Sequence, residues 1–489
     1  MKIYNSMTRK KEEFIPIDGN NVKMYACGIT VYDLSHIGHA RQAIVYSMIA
    51  EYLRYRGYNV KYVRNYTDVD DKIINKANML GKNALEFSRE QIIETELDMK
   101  NLHIKDADIK PKASENITNI INFVKGLIDK GYAYATKGGD VYFIVRKFKD
   151  YGKLSNRKID ELLNGVRKEV NEEKRDPLDF ALWKSAKQGE IYWNSPWGNG
   201  RPGWHIECSA MVLNELGETI DIHGGGKDLI FPHHENEIAQ SEAYTGKNMA
   251  KYWSHCGLIK INGEKMSKSL GNSLTIRDAL KKYNYETIKY VFLQKHYTSD
   301  IDIKDEDFYM AEKHLYYFYT TLKNMDKFIY ENNGDKNGET IEDDISENII
   351  NNFITVMDDD FNSVAAISEL FGIFKYVNGL FKKVDKNNKY KIANTFAKII
   401  NNIKEVYSIL GLFTQTPDDY IDSIKSRYLQ ELSIDIDYIQ NQINLRAKAK
   451  LLREFNKADS IRDDLEHKGI ILKDTKEGTI WDIKKLYNI

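Results

Sequence analysis

A strand–helix–strand pattern near the start of the chain restricts the fold more than any other feature. Residues 22–27 form a short apolar-rich run followed by Gly28, which predicts a buried strand. Apolar residues at helical spacing occupy 38–53, Gly57 follows as a helix stop, and 59–64 predicts a second strand. Two strands joined through one helix pair in parallel with a right-handed crossover. We therefore predict an α/β fold built on a nucleotide-binding parallel sheet.

The rest of the chain predicts a sheet that is split by an insertion and followed by helices. Long helical patterns cover 311–330 and 348–384, and the polar stretch 331–347 between them predicts an exposed loop. We predict five segments. They are the first half of a Rossmann-like catalytic domain (1–115), a connective insertion (116–195), the second half of the catalytic domain (196–300), a helical bundle (301–434) and a small C-terminal unit (435–489).

Composition limits the kind of partner and the compartment. The net charge is -1, so any nucleic-acid surface must be a local patch. Three cysteines far apart in sequence, Cys27, Cys208 and Cys256, do not suggest a disulfide framework. No stretch approaches the ~18 apolar residues that span a bilayer. We expect a cytoplasmic protein without a membrane partner.

The first motif that carries chemistry is His36-Ile37-Gly38-His39, which follows a strand and opens a helix. A helix N-terminus presents free N–H groups that suit phosphate, and Gly38 leaves room for a nucleotide. His36 and His39 are three residues apart and share a helix face. The alternative is that two histidines simply cap an ordinary helix.

The second motif is Lys265-Met-Ser-Lys268-Ser, far downstream. Two ammonium groups on a short polar loop can stabilise the negative charge that develops on a leaving pyrophosphate. A solvated basic loop is the alternative for this motif alone. The two motifs together resemble the signatures of class I aminoacyl-tRNA synthetases. That resemblance implies a split Rossmann fold that binds ATP, with its Mg²⁺, and forms an aminoacyl-adenylate.

A third set of residues has metal-ligand chemistry. Cys27 ends the first predicted strand, Cys208 lies in a Trp-His-Ile-Glu-Cys sequence, and His233 and Glu237 are four apart on a predicted helix. His234 is three residues before Glu237, so spacing does not exclude it. Two thiolates, an imidazole and a carboxylate are a plausible zinc set. Each residue also has a structural alternative, such as a small buried cysteine or a capping histidine.

The stretches around Cys27, Asn65–Lys72, Cys208 and residues 221–240 resemble cysteinyl-tRNA synthetases in particular. The resemblance implies that one zinc is held by Cys27, Cys208, His233 and Glu237, and that the substrate thiolate completes its shell. The implied site residues are catalytic His36, His39, Lys265 and Lys268; ATP-binding Gly38, Asp228 and Lys268; and an amino-acid pocket of Gly28, Thr67, Trp204 and His223. Trp204 and His223 could instead be buried core. The run Gly224-Gly225-Gly226 is expected to let the backbone approach the nucleotide.

The C-terminal unit is expected to read the anticodon. Phe455 and Trp481 could stack on bases, and Asp459 and Asp474 could accept hydrogen bonds from base edges. A solvated charged helix is the alternative for each residue. The expected partners are cysteine tRNA, ATP and L-cysteine, and the enzyme is expected to act as a monomer. A rival is a ligase that joins activated cysteine to a small amine, which would not need the helical and C-terminal segments.

Overall fold

A computed structural model describes residues 1–158, 173–261, 263–265, 274–341, 343–475 and 478–487. The chain divides into two compact units. The first unit comprises Met1–Lys281, Lys295–Ile303 and Met357–Asn362, and the second comprises Lys282–Gln294, Lys304–Val356 and Ser363–Ile489. The five-segment division remains a prediction.

A parallel sheet of four strands forms the centre of the first unit. From one edge to the other, the strands are Ala250–Cys256, Ile220–Gly226, Asn21–Thr30 and Asn59–Thr67. Helix Ile37–Tyr55 joins the last two and helix Glu235–Thr245 joins the first two. The sheet therefore consists of two strand–helix–strand halves, and the predicted parallel α/β fold is confirmed.

The first strand extends beyond its predicted end. It runs from Asn21 to Thr30, and its register with the neighbouring strand shifts between Ala26 and Ile29. The prediction that Cys27 ends the strand is therefore wrong, because the backbone continues through Gly28. At Gly28 an added Cβ would overlap the carbonyl oxygen of Asn65, so only glycine allows the two backbones to approach this closely.

An antiparallel sheet of four strands interrupts the parallel sheet in sequence. Its strands are Ala133–Ala135, Val141–Phe143, Phe180–Ser185 and Gly200–Pro202. The first two of these strands form a hairpin.

The remaining elements of the first unit are short strands and helices. The strands are Lys2–Asn5, Lys10–Glu13, Ile259–Ile261, Glu264–Lys265 and Ile301–Ile303. The α-helices are Asp71–Met79, Ala84–Asn101, Ile117–Asp129, Trp204–Leu216 and Ile276–Lys282. Single helical turns are Ala113–Glu115, Val145–Lys147, Lys227–Leu229 and Ile230–His234.

The second unit is mainly helical. Its α-helices are Tyr285–Leu293, Asp305–Glu331, Asp344–Met357, Ser363–Phe381, Lys389–Tyr407, Pro417–Leu432, Ile436–Leu451, Phe455–His467 and Lys484–Tyr487. A helical turn, Ser408–Leu410, and a hairpin of strands Ile470–Thr475 and Gly478–Ile483 complete it.

The long helix predicted over 348–384 is broken in the structure. Helix Asp344–Met357 ends before a turn in which Asp360 and Phe361 have positive φ, and helix Ser363–Phe381 follows. The turn is held by the N-terminal strand, because the Lys2 N–H donates to the Asp358 carbonyl and the Asp360 N–H donates to the Lys2 carbonyl. These long-range bonds are invisible to a periodicity pattern, which explains the wrong prediction.

Helix Ser363–Phe381 is long and apolar enough, by length and composition alone, to cross a membrane. The sequence-based expectation that no stretch is apolar enough to span a bilayer is therefore wrong for this helix. Its buried residues, among them Ala366, Leu370, Phe374 and Val377, recur at intervals of three and four. That pattern is typical of a helix that packs one face against other helices.

Candidate active site and metal centre

The site lies at the point in the parallel sheet where the strand order reverses. Strands Asn21–Thr30 and Ile220–Gly226 pair at the centre of the sheet, and the chain leaves each of them toward opposite edges. Tyr25 is paired with His223, so the carboxyl ends of both strands meet at one edge. In open α/β sheets, ligands bind in the crevice outside such a switch point.

Four side chains with metal-ligand chemistry meet at this edge. The Cys27 Sγ lies 3.9 Å from the Cys208 Sγ and 3.4 Å from the Glu237 Oε1. The His233 Nε2 lies 2.6 Å from the same Glu237 oxygen. One ligand atom from each residue lies within 4.8 Å of every other, and all four residues are buried. The structure thus brings together every residue of the predicted metal set.

Different elements deliver these four ligands. Cys27 sits at the register shift of the first strand, and Cys208 lies in helix Trp204–Leu216. His233 belongs to the helical turn that precedes helix Glu235–Thr245, whose first turn carries Glu237. The predicted common face of His233 and Glu237 is confirmed. The Trp204 ring stacks on the His233 ring at a centroid distance of 4.3 Å, which fixes the imidazole plane.

A second set of four, Cys27, His223, His234 and Glu237, meets the same distance criterion. The His223 Nε2 is 2.8 Å from the Glu237 Oε2, and the His234 Nε2 is 3.3 Å from the Cys27 Sγ. The two sets differ in access. Cys27, Cys208 and His233 line a cavity of about 230 Å³, whereas His223 and His234 do not. The first set therefore has a side that a substrate can reach.

The cluster is strongly polarised. Burial opposes ionisation of Glu237, but His223 and His233 outweigh it and hold the pKa of this carboxyl well below its usual value. Burial likewise opposes the charge on His233, but Glu237 and Cys208 raise the pKa of its imidazole to about 10. A hydrogen bond from the Cys27 thiol lowers the pKa of Cys208 to about 6. Before any metal binds, the cluster thus favours ionised Glu237 and Cys208, whereas burial and the contact with Cys208 raise the pKa of the Cys27 thiol well above its usual value.

The cavity beside the cluster is lined by several of the predicted substrate residues: Gly28, His39, Thr67, Trp204 and Asp228. The Gly28 N–H donates to the Asn65 Oδ1 at 2.8 Å, and the Asn65 amide lies 3.5 Å from the Thr67 hydroxyl. These bonds tie the two sides of the pocket together. The predicted pocket residue His223 lies beneath the cluster instead, stacked on Tyr25.

The His36–His39 motif opens helix Ile37–Tyr55. The His36 Nδ1 accepts from the Gly38 N–H at 3.1 Å, and the His36 N–H donates to the His39 Nδ1 at 3.3 Å. The two rings stack at 3.7 Å. The capping alternative is therefore realised, and it coexists with a position of His39 in the wall of the cavity.

The second signature begins in a short hairpin, where strand Glu264–Lys265 pairs with Ile259–Ile261. Lys268 lies outside the described residues. Downstream of the signature, Thr275 pairs with His36, and the Ile37 N–H donates to the Leu274 carbonyl at 3.0 Å. The segment that follows the second signature therefore lies against the start of the helix that carries the first.

Arg41 was not identified from the sequence, although it lies two residues after His39. Its side chain is buried, and its guanidinium donates to the carbonyls of Gly257 at 2.6 Å and Ser299 at 2.5 Å. It also reaches the Leu258 carbonyl at 3.2 Å. These partners are more than 200 residues away, so only the fold reveals that Arg41 anchors the backbone leading to the second signature.

The glycine run 224–226 has a different role from the one predicted at two of its positions. A Cβ on Gly224 would lie 2.8 Å from the Tyr46 hydroxyl, and one on Gly225 would lie 2.7 Å from the His234 ring. The Tyr46 hydroxyl accepts from the Gly225 N–H at 2.6 Å. Gly224 and Gly225 thus make room for the protein's own side chains rather than for a nucleotide.

The C-terminal candidates are dispersed over the second unit. Phe455 is 60% exposed, and Asp459 is exposed on the same helix. The Asp474 carboxylate is already engaged, because it accepts from Arg446 and Lys450 at 2.8 and 2.7 Å. The Trp481 ring lies under the Lys425 ammonium, which is 4.5 Å from its centroid.

Two protein families and many sequence relatives match this chain. The family described as tRNA synthetases class I (C) catalytic domain matches residues 13–313, and the family described as DALR domain matches residues 352–414. A cysteine–tRNA ligase from Thermodesulfovibrio yellowstonii is 50% identical and covers 99% of this chain and 100% of its own length. One from Maridesulfovibrio salexigens is 44% identical with the same coverage.

Solved structures with low sequence identity share the fold. Mycobacterium tuberculosis methionyl-tRNA synthetase in complex with methionyl-adenylate aligns with a TM-score of 0.60 at 14% identity, covering 82% of this chain and 95% of that one. A putative arginyl-tRNA synthetase from Campylobacter jejuni aligns with a TM-score of 0.55 at 13% identity, covering 81% and 93%. With the full-length sequence similarity, these findings show that the chain belongs to the cysteine–tRNA ligase family of class I aminoacyl-tRNA synthetases.

Proposed function

We propose that this protein uses ATP to convert L-cysteine into cysteinyl-adenylate and then transfers the cysteinyl group to the 3′ end of cysteine tRNA. One observation carries this proposal in the structure. Cys27, Cys208 and His233 form one wall of a cavity whose other lining residues include His39 and Asp228. A thiol-binding end and a nucleotide-binding end therefore share one small space, as adenylation of cysteine requires.

The thiol-binding end has the donors of a zinc site. Two thiols, one imidazole and one carboxylate are ligands that zinc takes, and here they are buried, close together and open on one side. We assign one Zn²⁺ per chain to Cys27, Cys208, His233 and Glu237. When bound, the zinc would supply a preference for a thiolate over a hydroxyl, which packing alone separates by only ~1–3 kcal/mol.

The protein's own side chains position the two reactants. Gly28, Thr67 and Trp204 shape the space beside the thiol-binding wall, with His223 supporting the cluster from below. In the first step, the cysteine carboxylate attacks the α-phosphate of ATP and pyrophosphate leaves. In the second step, a ribose hydroxyl of the terminal tRNA nucleotide attacks the adenylate carbonyl and AMP leaves. No covalent bond to the enzyme is required.

The nucleotide end is assigned to the two signatures. His36, His39 and the backbone at Gly38 would bind ATP phosphates at a helix N-terminus, and Asp228 would bind ribose hydroxyls. Lys265 and Lys268 would stabilise charge on the departing pyrophosphate. Mg²⁺ is expected to enter with ATP and to be held mainly by its phosphates.

Two regions are proposed to contact tRNA. A cavity of about 800 Å³ shares Trp204 with the smaller one and is lined by Lys184, Arg201 and Phe231 among others. The aromatic rings suit stacking on the bases of a single-stranded tRNA end, while Lys184 and Arg201 are paired with Asp71 in the same cavity. The C-terminal unit is proposed to read the anticodon through Phe455, Asp459, Asp474 and Trp481. This division of labour follows the five predicted segments.

The proposal includes a cytoplasmic enzyme that acts as a monomer without a membrane partner. All three cysteines, Cys27, Cys208 and Cys256, are free and buried, which suits a reducing compartment.

Pyrophosphate exchange tests the proposal directly. Purified protein with zinc and Mg-ATP is expected to exchange labelled pyrophosphate into ATP when cysteine is added and not when serine is added. Charging of cysteine tRNA then separates the synthetase from a ligase that uses a small amine as acceptor. Absence of cysteine-dependent exchange would refute adenylation, and exchange without charging would favour the amine ligase.

A further inference from the structure

Lys72 occupies a position that the proposed mechanism does not use. It lies in the first turn of helix Asp71–Met79, just beyond the end of strand Asn59–Thr67. Its side chain lines the same cavity as Cys27, Cys208 and His39. Among the cavity-lining residues in the described part of the chain, it is the only lysine or arginine.

The surroundings of Lys72 hold its ammonium group near the cavity without neutralising it. The Nζ lies 5.2 Å from the centroid of the Tyr32 ring, which also lines the cavity. The two carboxylates nearest in sequence have other partners. Asp70 accepts from the Lys72 backbone N–H at 2.9 Å, and Asp71 forms ion pairs with Lys184 and Arg201. Within the described ranges, no carboxylate forms an ion pair with the Lys72 side chain.

The reactants bring negative charge to this space. The cysteine carboxylate and the α-phosphate of ATP must approach each other closely, and both carry anionic oxygens. A cation in the wall would offset their repulsion and would stabilise the charge that is shared between them as the new oxygen–phosphorus bond forms. The substrate thiol is already assigned to a different wall of the cavity, the one formed by the buried residues Cys27, Cys208 and His233.

We propose that Lys72 is a further catalytic residue that binds the anionic oxygens of the reacting groups, the cysteine carboxylate or the ATP α-phosphate. This inference rests on the proposed adenylation function and adds a residue to it. The lysine differs from Lys265 and Lys268 because it lines the amino-acid cavity, on the helix that follows the edge strand Asn59–Thr67, rather than lying in the downstream signature.

The test compares Lys72→Met with Lys76→Met. Lys76 lies one turn further along the same helix, is exposed and does not line the cavity. Lys72→Met is expected to reduce kcat/KM for pyrophosphate exchange by about tenfold to a hundredfold, the usual effect of losing one charge-assisted hydrogen bond. Lys72→Arg is expected to recover part of the loss, and Lys76→Met to stay within about twofold of the parent protein.

Binding measurements identify which anion Lys72 contacts. If it contacts the carboxylate, Lys72→Met weakens binding of cysteine to the zinc-loaded protein but not binding of cysteamine, which has the thiol and lacks the carboxylate. If it contacts the phosphate, the KM for ATP rises instead. Equal weakening of cysteine and cysteamine with an unchanged KM for ATP would overturn the proposal, as would Lys72→Met behaving like Lys76→Met. Failure of the parent protein to exchange at all would count against adenylation itself.

Discussion

At the scale of single residues, the Glu237 carboxylate contacts three of the candidate metal ligands. Its Oε1 lies 2.6 Å from the His233 Nε2 and 3.4 Å from the Cys27 thiol, and its Oε2 lies 2.8 Å from the His223 Nε2. Replacing one carboxylate oxygen by an amide nitrogen removes a negative charge. It also places a hydrogen-bond donor next to the N–H and S–H groups of its neighbours. The variant should therefore bind metal less well even if it folds.

We predict that Glu237→Gln lowers zinc affinity by at least about tenfold, because even the loss of an outer hydrogen-bond partner typically costs 10–100-fold. The measurement is zinc content by elemental analysis after dialysis against a graded chelator. Glu242→Gln on the same helix is the matched control, since Glu242 pairs with Lys153 outside the cluster. Equal zinc retention by both variants would remove Glu237 from the metal site.

The sequence predicted the four proposed ligands but not the network around them. Spacing placed His233 and Glu237 on one face and left His234 open, and only the cavity lining separates His233 from His234. Arg41 and Tyr46 escaped prediction for a common reason. Their partners, such as Gly257 and Gly225, are about 180 to 216 residues away in the chain, and no local pattern encodes such contacts.

At the scale of elements, strand Ile220–Gly226 depends on glycine for its packing against helix Ile37–Tyr55. An added Cβ on Gly224 would lie within 2.8 Å of the Tyr46 hydroxyl. That hydroxyl is itself fixed, because it lies 2.9 Å from the Gly225 carbonyl and 2.8 Å from the Ser254 carbonyl. The Tyr46 ring therefore has little freedom to retreat.

We predict that Gly224→Ala destabilises the protein by about 1–3 kcal/mol, the usual cost of overpacking a core. The control is Gly372→Ala in helix Ser363–Phe381, where an added Cβ meets no atom within 4 Å. That variant should be neutral or up to about 1 kcal/mol more stable, because alanine favours helix. Denaturant unfolding of each variant measures both effects, and a stable Gly224→Ala protein would contradict the close packing.

Prediction of elements failed where tertiary contacts override periodicity. The break between helices Asp344–Met357 and Ser363–Phe381 lies within an apolar pattern that continues across it. The pattern could not show that Asp360 would accept from the Tyr4 N–H at 2.8 Å and from the Tyr297 hydroxyl at 2.8 Å. By contrast, the helix after the first strand was predicted almost to its ends, because Gly57, with φ of 88°, marks its stop.

At the scale of the whole molecule, the proposed activity separates into two chemistries that need different parts of the chain. Adenylation needs the cavity at the sheet edge, all of whose lining residues belong to the first unit. Recognition of the anticodon is proposed for the C-terminal segment, which belongs to the second unit. That segment is joined to the rest of its own unit by bonds such as Lys425 Nζ to the Trp481 carbonyl at 2.9 Å.

We predict that deletion of residues 435–489 lowers tRNA charging by at least about tenfold while cysteine-dependent pyrophosphate exchange stays within about threefold of the full chain. The physical reason is that base stacking and phosphate contacts are lost, each stacked base contributing ~1–3 kcal/mol, while the cavity residues are untouched.

Because the deletion also removes contacts within the second unit, a point variant is needed beside it. Phe455→Ala should lower charging without affecting exchange, since Phe455 is 60% exposed and its loss leaves no buried cavity. Tyr330→Ala, which removes another exposed aromatic ring of the same unit, is the matched control and should leave both reactions unchanged. Parallel loss of exchange and charging in the deletion, with no effect of Phe455→Ala, would show that the C-terminal segment stabilises the fold rather than reading tRNA.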